Sequence, residues 1–203
     1  MAALSPAPLP PALEAELVAI RADPGESVGF GEKSYVPYEP NVAHFLISFD
    51  DPAVTRRLLA EIDGADRVHR LALLHVLGKR SDGTVDRALL ATLEDPELRA
   101  TSAYLLGRPG FKGYPARERD VDAIRAALGR HLSDESTFED PFYRRTFSTR
   151  DFVLAAFVRL TGPERFRFAD PGLADTIGYD LPAFNMTTST ELKRQAEAMT
   201  ESP

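Results

Sequence analysis

The chain has 203 residues, of which 43% are hydrophobic and 27% charged, enough to bury a core in one soluble globular domain. The formal charge of −7 is uneven: −5 over residues 1–50, −1 over 51–107, +2 over 108–150 and −3 over 151–203, with no cationic concentration of the kind that neutralises phosphates. Cysteine is absent, so a disulfide, a thiol nucleophile and a thiolate metal site are all excluded, and no apolar run approaches the ~18 residues of a membrane span.

In chain order, residues 1–9 read as a disordered tail, rich in proline and without basic residues, unlike a secretory signal. A cytoplasmic location is expected. Pro10-Pro11 opens a helix reaching Ala22, and Asp23-Pro24-Gly25 stops it. A glycine- and tyrosine-containing loop runs to Pro40. Asn41 is placed to cap a short helix with Val42, Phe45, Leu46 and Phe49 at i, i+3, i+4 and i+7; a strand is the rival, since HFLISF also alternates. Asp51-Pro52 is a strong start for a helix to Ile62, with Asp as cap and Pro in the first turn. The next helix, Asp66 to Leu77, is apolar nearly all round and is expected to stop at Gly78. Helices over 84–93 and 97–107 follow, the second after another Asp-Pro pair. Then come a long connection, a helix from Arg119 to Leu132, a loop over 133–147, a helix from Thr149 to Leu160 and a last amphipathic helix over 189–199.

One pattern recurs: an apolar helix with spaced arginines that ends in Leu-Gly or Leu-Thr-Gly. Its copies are ADRVHRLALLHVLGKR (65–80), DPELRATSAYLLGRPG (95–110) and STRDFVLAAFVRLTGP (148–163). Such helices cannot bury their apolar surface alone and stack on one another. LEDPELRATSAYLLGR resembles the second half of a HEAT-type repeat, with Asp95-Pro96 at the turn, Arg99 after it and Leu106-Gly107 at the close; Arg70 takes the arginine position in the preceding copy. The resemblance spans roughly residues 51–161. It implies an all-α, right-handed α-α superhelix of about four helix pairs over 10–162, with a C-terminal extension over 163–203.

The resemblance is compatible with several activities. Non-catalytic protein recognition, as an adaptor, regulator or immunity-type protein, is the preferred expectation. The alternative is a HEAT-like enzyme of the DNA glycosylase or lyase type, which an acidic chain without tryptophan fits poorly. Catalytic residues, cofactors and metal ligands are not indicated. His69 and His75 are six apart and fall on opposed helical faces, His75 reads as a core residue, His131 sits in a last helical turn, and His44 has no evident partner. Gly29-Phe30-Gly31 is too short for a phosphate-cradling loop. Asp50-Asp51 reads as a helix cap with its neighbour.

The two loop insertions carry the site expectation. Both fall between the first and second helix of a pair, which places them on one edge of a stack. The first holds Phe30, Tyr35 and Tyr38; the second holds Phe138, Phe142, Tyr143 and Phe147 with Arg144 and Arg145. Tyrosine and arginine are favoured at interface hot spots, so Tyr35, Tyr38, Phe142, Tyr143, Arg144 and Arg145 are the expected partner-binding residues; the competing role is to cap the ends of the core.

Overall fold

The computed structural model describes residues 9–24, 44–108, 118–140, 145–170, 172–173 and 186–200. They form helices α1 (Pro11–Ala22), α2 (His44–Ser48), α3 (Pro52–Gly64), α4 (Arg67–Lys79), α5 (Val85–Leu93), α6 (Arg99–Leu106) and α7 (Val121–Gly129). An antiparallel hairpin follows, β1 (Thr137–Asp140) and β2 (Arg145–Ser148), then α8 (Thr149–Thr161), a 3-10 turn (Pro163–Arg165) and α9 (Met186–Thr200). The protein is mainly helical, and none of the helices described is long and apolar enough to cross a membrane.

Successive helices pack as neighbours: α3 with α4, α5 with α6, and α7 with α8. The second members also meet in series, α4 against α6 and α6 against α8, and so do the first members, α3 against α5 and α5 against α7. α4 lies in the middle of this arrangement, and its residues from Leu71 to Lys79 are all buried, which explains its lack of a polar face. One apolar core runs from Leu9 to Ala196.

Both Leu-Gly glycines sit at close packing contacts, and only Gly107 also ends its helix, as the C-cap of α6. α4 continues through Gly78 to Lys79. A Cβ at Gly78 would stand 2.6 Å from a methyl carbon of Leu105 on α6, and one at Gly107 would stand 2.8 Å from both Cα and Cβ of Ala156 on α8. The missing side chains let consecutive second helices approach closely. Gly162 alone serves conformation, at φ +102°, where other residues are strained.

The pairs are further linked by a repeated polar register. Asp66 and Asp95, Arg70 and Arg99, and Gly78 and Gly107 each lie 29 residues apart. Asp66 caps α4 by accepting from His69 N–H at 3.0 Å, and Asp95 accepts from Glu97 N–H at 2.9 Å. Arg70 reaches forward to Asp95 and to Glu97 at 2.9 Å. Arg99 in turn reaches forward to Asp134, and its Nε donates to the Leu93 carbonyl at 3.0 Å. The arginine of one copy thus binds the acidic turn of the next.

Two expectations are corrected near the N-terminus. The segment after residue 43 is helix, not strand, but Phe45 and Phe49 are exposed, and the buried face of α2 is Leu46 and Ile47. Asn41 and Val42 lie outside the described residues. The cap observed on α2 comes from another helix: the Glu16 carboxylate of α1 accepts from Phe45 N–H at 2.9 Å and Leu46 N–H at 2.7 Å. Leu9 is buried, and its N–H donates to Glu14 at 3.0 Å, so it belongs to the packed domain rather than the tail. Asp51 caps α3 as expected, accepting from Ala53 N–H at 2.8 Å.

Candidate functional site

The loop expected over 133–147 contains the hairpin. Its register pairs Thr137 with Ser148, Phe138 with Phe147, Glu139 with Thr146 and Asp140 with Arg145. Four-residue strands are too short for a periodic signal to stand out from the sequence. Phe138 and Phe147 face one another across the strands, with ring centroids 5.7 Å apart, and both rings meet Phe152 of α8 edge-on at 5.2 and 5.5 Å. Phe138, Phe152 and Ala100 form a small second core. Thr149 N–H closes the base on Ser136 O at 2.9 Å, and Arg67 at the start of α4 donates to the Glu139 carbonyl. The aromatics at the base therefore pack into this second core.

Residues 141–144 join the Asp140 and Arg145 ends of the strands. Phe142, Tyr143 and Arg144 lie outside the described residues, as do Phe30, Tyr35 and Tyr38 of the first insertion. Arg145 is placed in β2 by its backbone.

Along the second helices, a polar row follows the same 29-residue register. His75 and Lys79 on α4 correspond to Tyr104 and Arg108 after α6's start. The His75 and Tyr104 rings meet edge-on at 6.4 Å. The Arg108 guanidinium lies 5.0 Å from the Tyr104 ring centre, and its Nη1 donates to the Tyr104 hydroxyl at 2.7 Å. Burial pulls the His75 pKa down to about 3, with the Lys79 and Arg108 charges adding to the effect. His75 is thus the expected core histidine, held neutral among cations. Lys79, Tyr104 and Arg108 were missed in the sequence, although applying the 29-residue spacing to His75 and Lys79 would have found the last two. The row is enclosed rather than open: His75 and Lys79 are buried, and Tyr104 and Arg108 are half-buried.

The His75 ring should not titrate between pH 8 and 4.5 in a side-chain NMR experiment, because its folded pKa lies below the unfolded value near 6.5. The sign follows directly. The folded protein binds fewer protons than the unfolded chain between pH 6.5 and 3, so this burial costs stability as pH falls through that window, by roughly 1.4 kcal/mol per pH unit at most. A His75 signal titrating near 6.5 would mean that the ring is open to water.

His69 is also lowered by burial and accepts no bond at Nε2, while His131 Nε2 lies 3.4 Å from Glu94 Oε1 at the end of α7. Among the described residues, no three histidine or acidic side chains are grouped to hold a metal ion. Comparison with known proteins finds no matching family model, no similar curated sequence and no similar solved structure.

Proposed function

We propose that the protein is a HEAT-like α-solenoid that recognises a protein partner without catalysis, through the edge that carries the hairpin. The 29-residue register of acid, arginine and glycine, repeated between consecutive second helices, supports the solenoid reading.

The hairpin base carries the functional part. Phe138 and Phe147 are committed to the core with Phe152, and Arg67 fixes the strand from the side. The base aromatics are thereby occupied by packing. That leaves Phe142, Tyr143, Arg144 and Arg145 at the linking end as the recognition set, with Tyr35 and Tyr38 of the first insertion on the same edge. Tyrosine and arginine concentrate contact area and directed donors.

The test is affinity capture from the native cell with Tyr143→Ala/Arg144→Ala. The double variant is expected to lose the partner captured by the unaltered protein while its thermal midpoint shifts by no more than a few degrees. Retained capture by a folded double variant would remove the edge from the binding surface.

A further inference from the structure

A second surface lies away from the hairpin. A cleft of about 970 Å³ opens between α7, the C-terminal half of α8 and the last turns of α9. Its floor is apolar, formed by Ala126, Phe157, Ala198 and Met199, and four arginines line it: Arg125, Arg130, Arg165 and Arg194. Thr161 also lines it, and its buried hydroxyl oxygen has no hydrogen-bond partner. Asp122 lines it as well; on a chain of net charge −7, four guanidiniums and one carboxylate around one apolar floor are a local excess of positive charge.

Three of the arginines already hold carboxylates of the protein's own surface. Arg125 pairs with Asp122 at 3.1 Å, Arg130 with Glu94 at 3.1 Å and Arg194 with Glu191 at 2.8 Å. The Arg194 and Arg130 hydrogen bonds hold the Glu191 and Glu94 carboxyls below the usual range. The Arg130 and Arg194 pairs are exposed, at 62% and 71% for the arginine side chains, while Arg125 is half-buried. Solvent screens an exposed pair, and each guanidinium has donors to spare, so an incoming carboxylate can share or replace the resident one at little cost. Arg165 is exposed and has no acidic partner among the described residues. The ends of α7, α8 and α9 add partial charges of about −0.5 each, which the arginines offset locally.

The arrangement selects among anions. Exposed, separated arginines do not enclose a small ion, which needs converging, desolvated donors. They suit an extended ligand with several carboxylates and an apolar side chain to set on the floor. Phe157 is 3% exposed and offers no open face on which a nucleobase could stack. We infer that this cleft is a docking groove for an acidic segment of a protein partner, with its carboxylates on Arg125, Arg130, Arg165 and Arg194 and an apolar residue against Ala126, Ala198 and Met199. The inference rests on the protein-recognition reading only in taking a protein as the source of the ligand; its surface and its test are separate from the hairpin.

The probe is a short synthetic peptide alternating Glu-Glu with Leu-Phe, titrated into the isotope-labelled full chain. Backbone amide signals of Ala126, Gly129 and Ala198 are expected to move, and a peptide with lysine replacing glutamate is expected to leave them unmoved. Arg125→Glu/Arg194→Glu should weaken the acidic peptide at least about tenfold, and added salt should weaken it as well. Arg165→Glu breaks no ion pair among the described residues and should also weaken binding. Unmoved signals, equal binding of the lysine peptide, the same shifts from inorganic phosphate or a single-stranded oligonucleotide alone, or an unchanged affinity in Arg165→Glu would each overturn the assignment. Loss of partner capture in the hairpin variant, with this titration intact, would leave the groove standing; the converse would leave the hairpin standing.

Discussion

Arg80→Ala is expected to lower the unfolding free energy by about 3–5 kcal/mol, as breaking a buried ion pair does elsewhere. Arg80 caps the end of α4 and is 1% exposed. Its Nε donates to Thr55 Oγ1 and Asp82 Oδ2, both at 3.0 Å. Its Nη1 donates to the Leu46 carbonyl, and its Nη2 donates to the carbonyls of Phe49 at 2.9 Å and Asp51 at 3.0 Å. One guanidinium thus joins the end of α4 to α3 and to the segment between α2 and α3. Alanine would strand the buried Asp82 carboxylate and remove donors from three carbonyls. Lysine keeps the charge but not the planar fork, and should recover only part of the loss.

Acid should act on the same group. Burial opposes the Asp82 charge, but bonds from Thr55 and Thr84 and the charge of Arg80 outweigh it, and the carboxyl lies below its ordinary value of 3.8. Its contribution is therefore present above pH 3.8 and lost as pH falls through the lower folded value. Urea denaturation of Arg80→Ala, Arg80→Lys and the unaltered chain checks the ranking. An unchanged midpoint in Arg80→Ala would show that the five bonds do not form.

Leu106→Ala should cost about 2–5 kcal/mol, the range for deleting a leucine side chain from a packed interior. Leu106 is 0% exposed in α6, and its counterpart Leu77, 29 residues earlier on α4, is equally buried. Gly107 beside it is already in contact range of Ala156, so the second helices have little room to close over the void. Val18→Ala is the control. Val18 is 59% exposed on α1, and its loss should change stability by no more than about 0.5 kcal/mol. Equal midpoints for the two variants would mean that the core face of α6 is misassigned.

The helices were legible because caps and period agree. Asp51-Pro52 and Asp66 mark starts that the side-chain bonds to Ala53 and His69 make real. Gly78 misled because glycine after a leucine reads as a helix end, while its role is defined by Leu105, a residue that only packing brings near. α2 misled for a similar reason: its phenylalanines are the larger hydrophobes, yet the neighbouring helices take Leu46 and Ile47. Of the candidate sites, the aromatic character of the second insertion was legible, but the division of labour within it was not. Phe138 and Phe147 become a packed pair only through antiparallel register. The arginine cleft was invisible, since its four arginines come from three separated stretches of chain and each looks like an ordinary solvated charge.

The four glycines at 64, 78, 83 and 107, in or between the central helices, are not equivalent, and this bears on how such a chain can drift. At Gly64 and Gly83 an added methyl group meets nothing within 4 Å, and neither needs a left-handed backbone. Replacement there is free. At Gly78 the same methyl group strikes the Leu105 side chain, so a change there is accommodated only if that side chain shifts or changes with it; at Gly107 it strikes Cα as well as Cβ of Ala156, and no side-chain change at 156 relieves it. The joint at Gly78 can therefore drift only in step with its partner and the joint at Gly107 only if the helices themselves move apart, whereas the turns between them can vary singly.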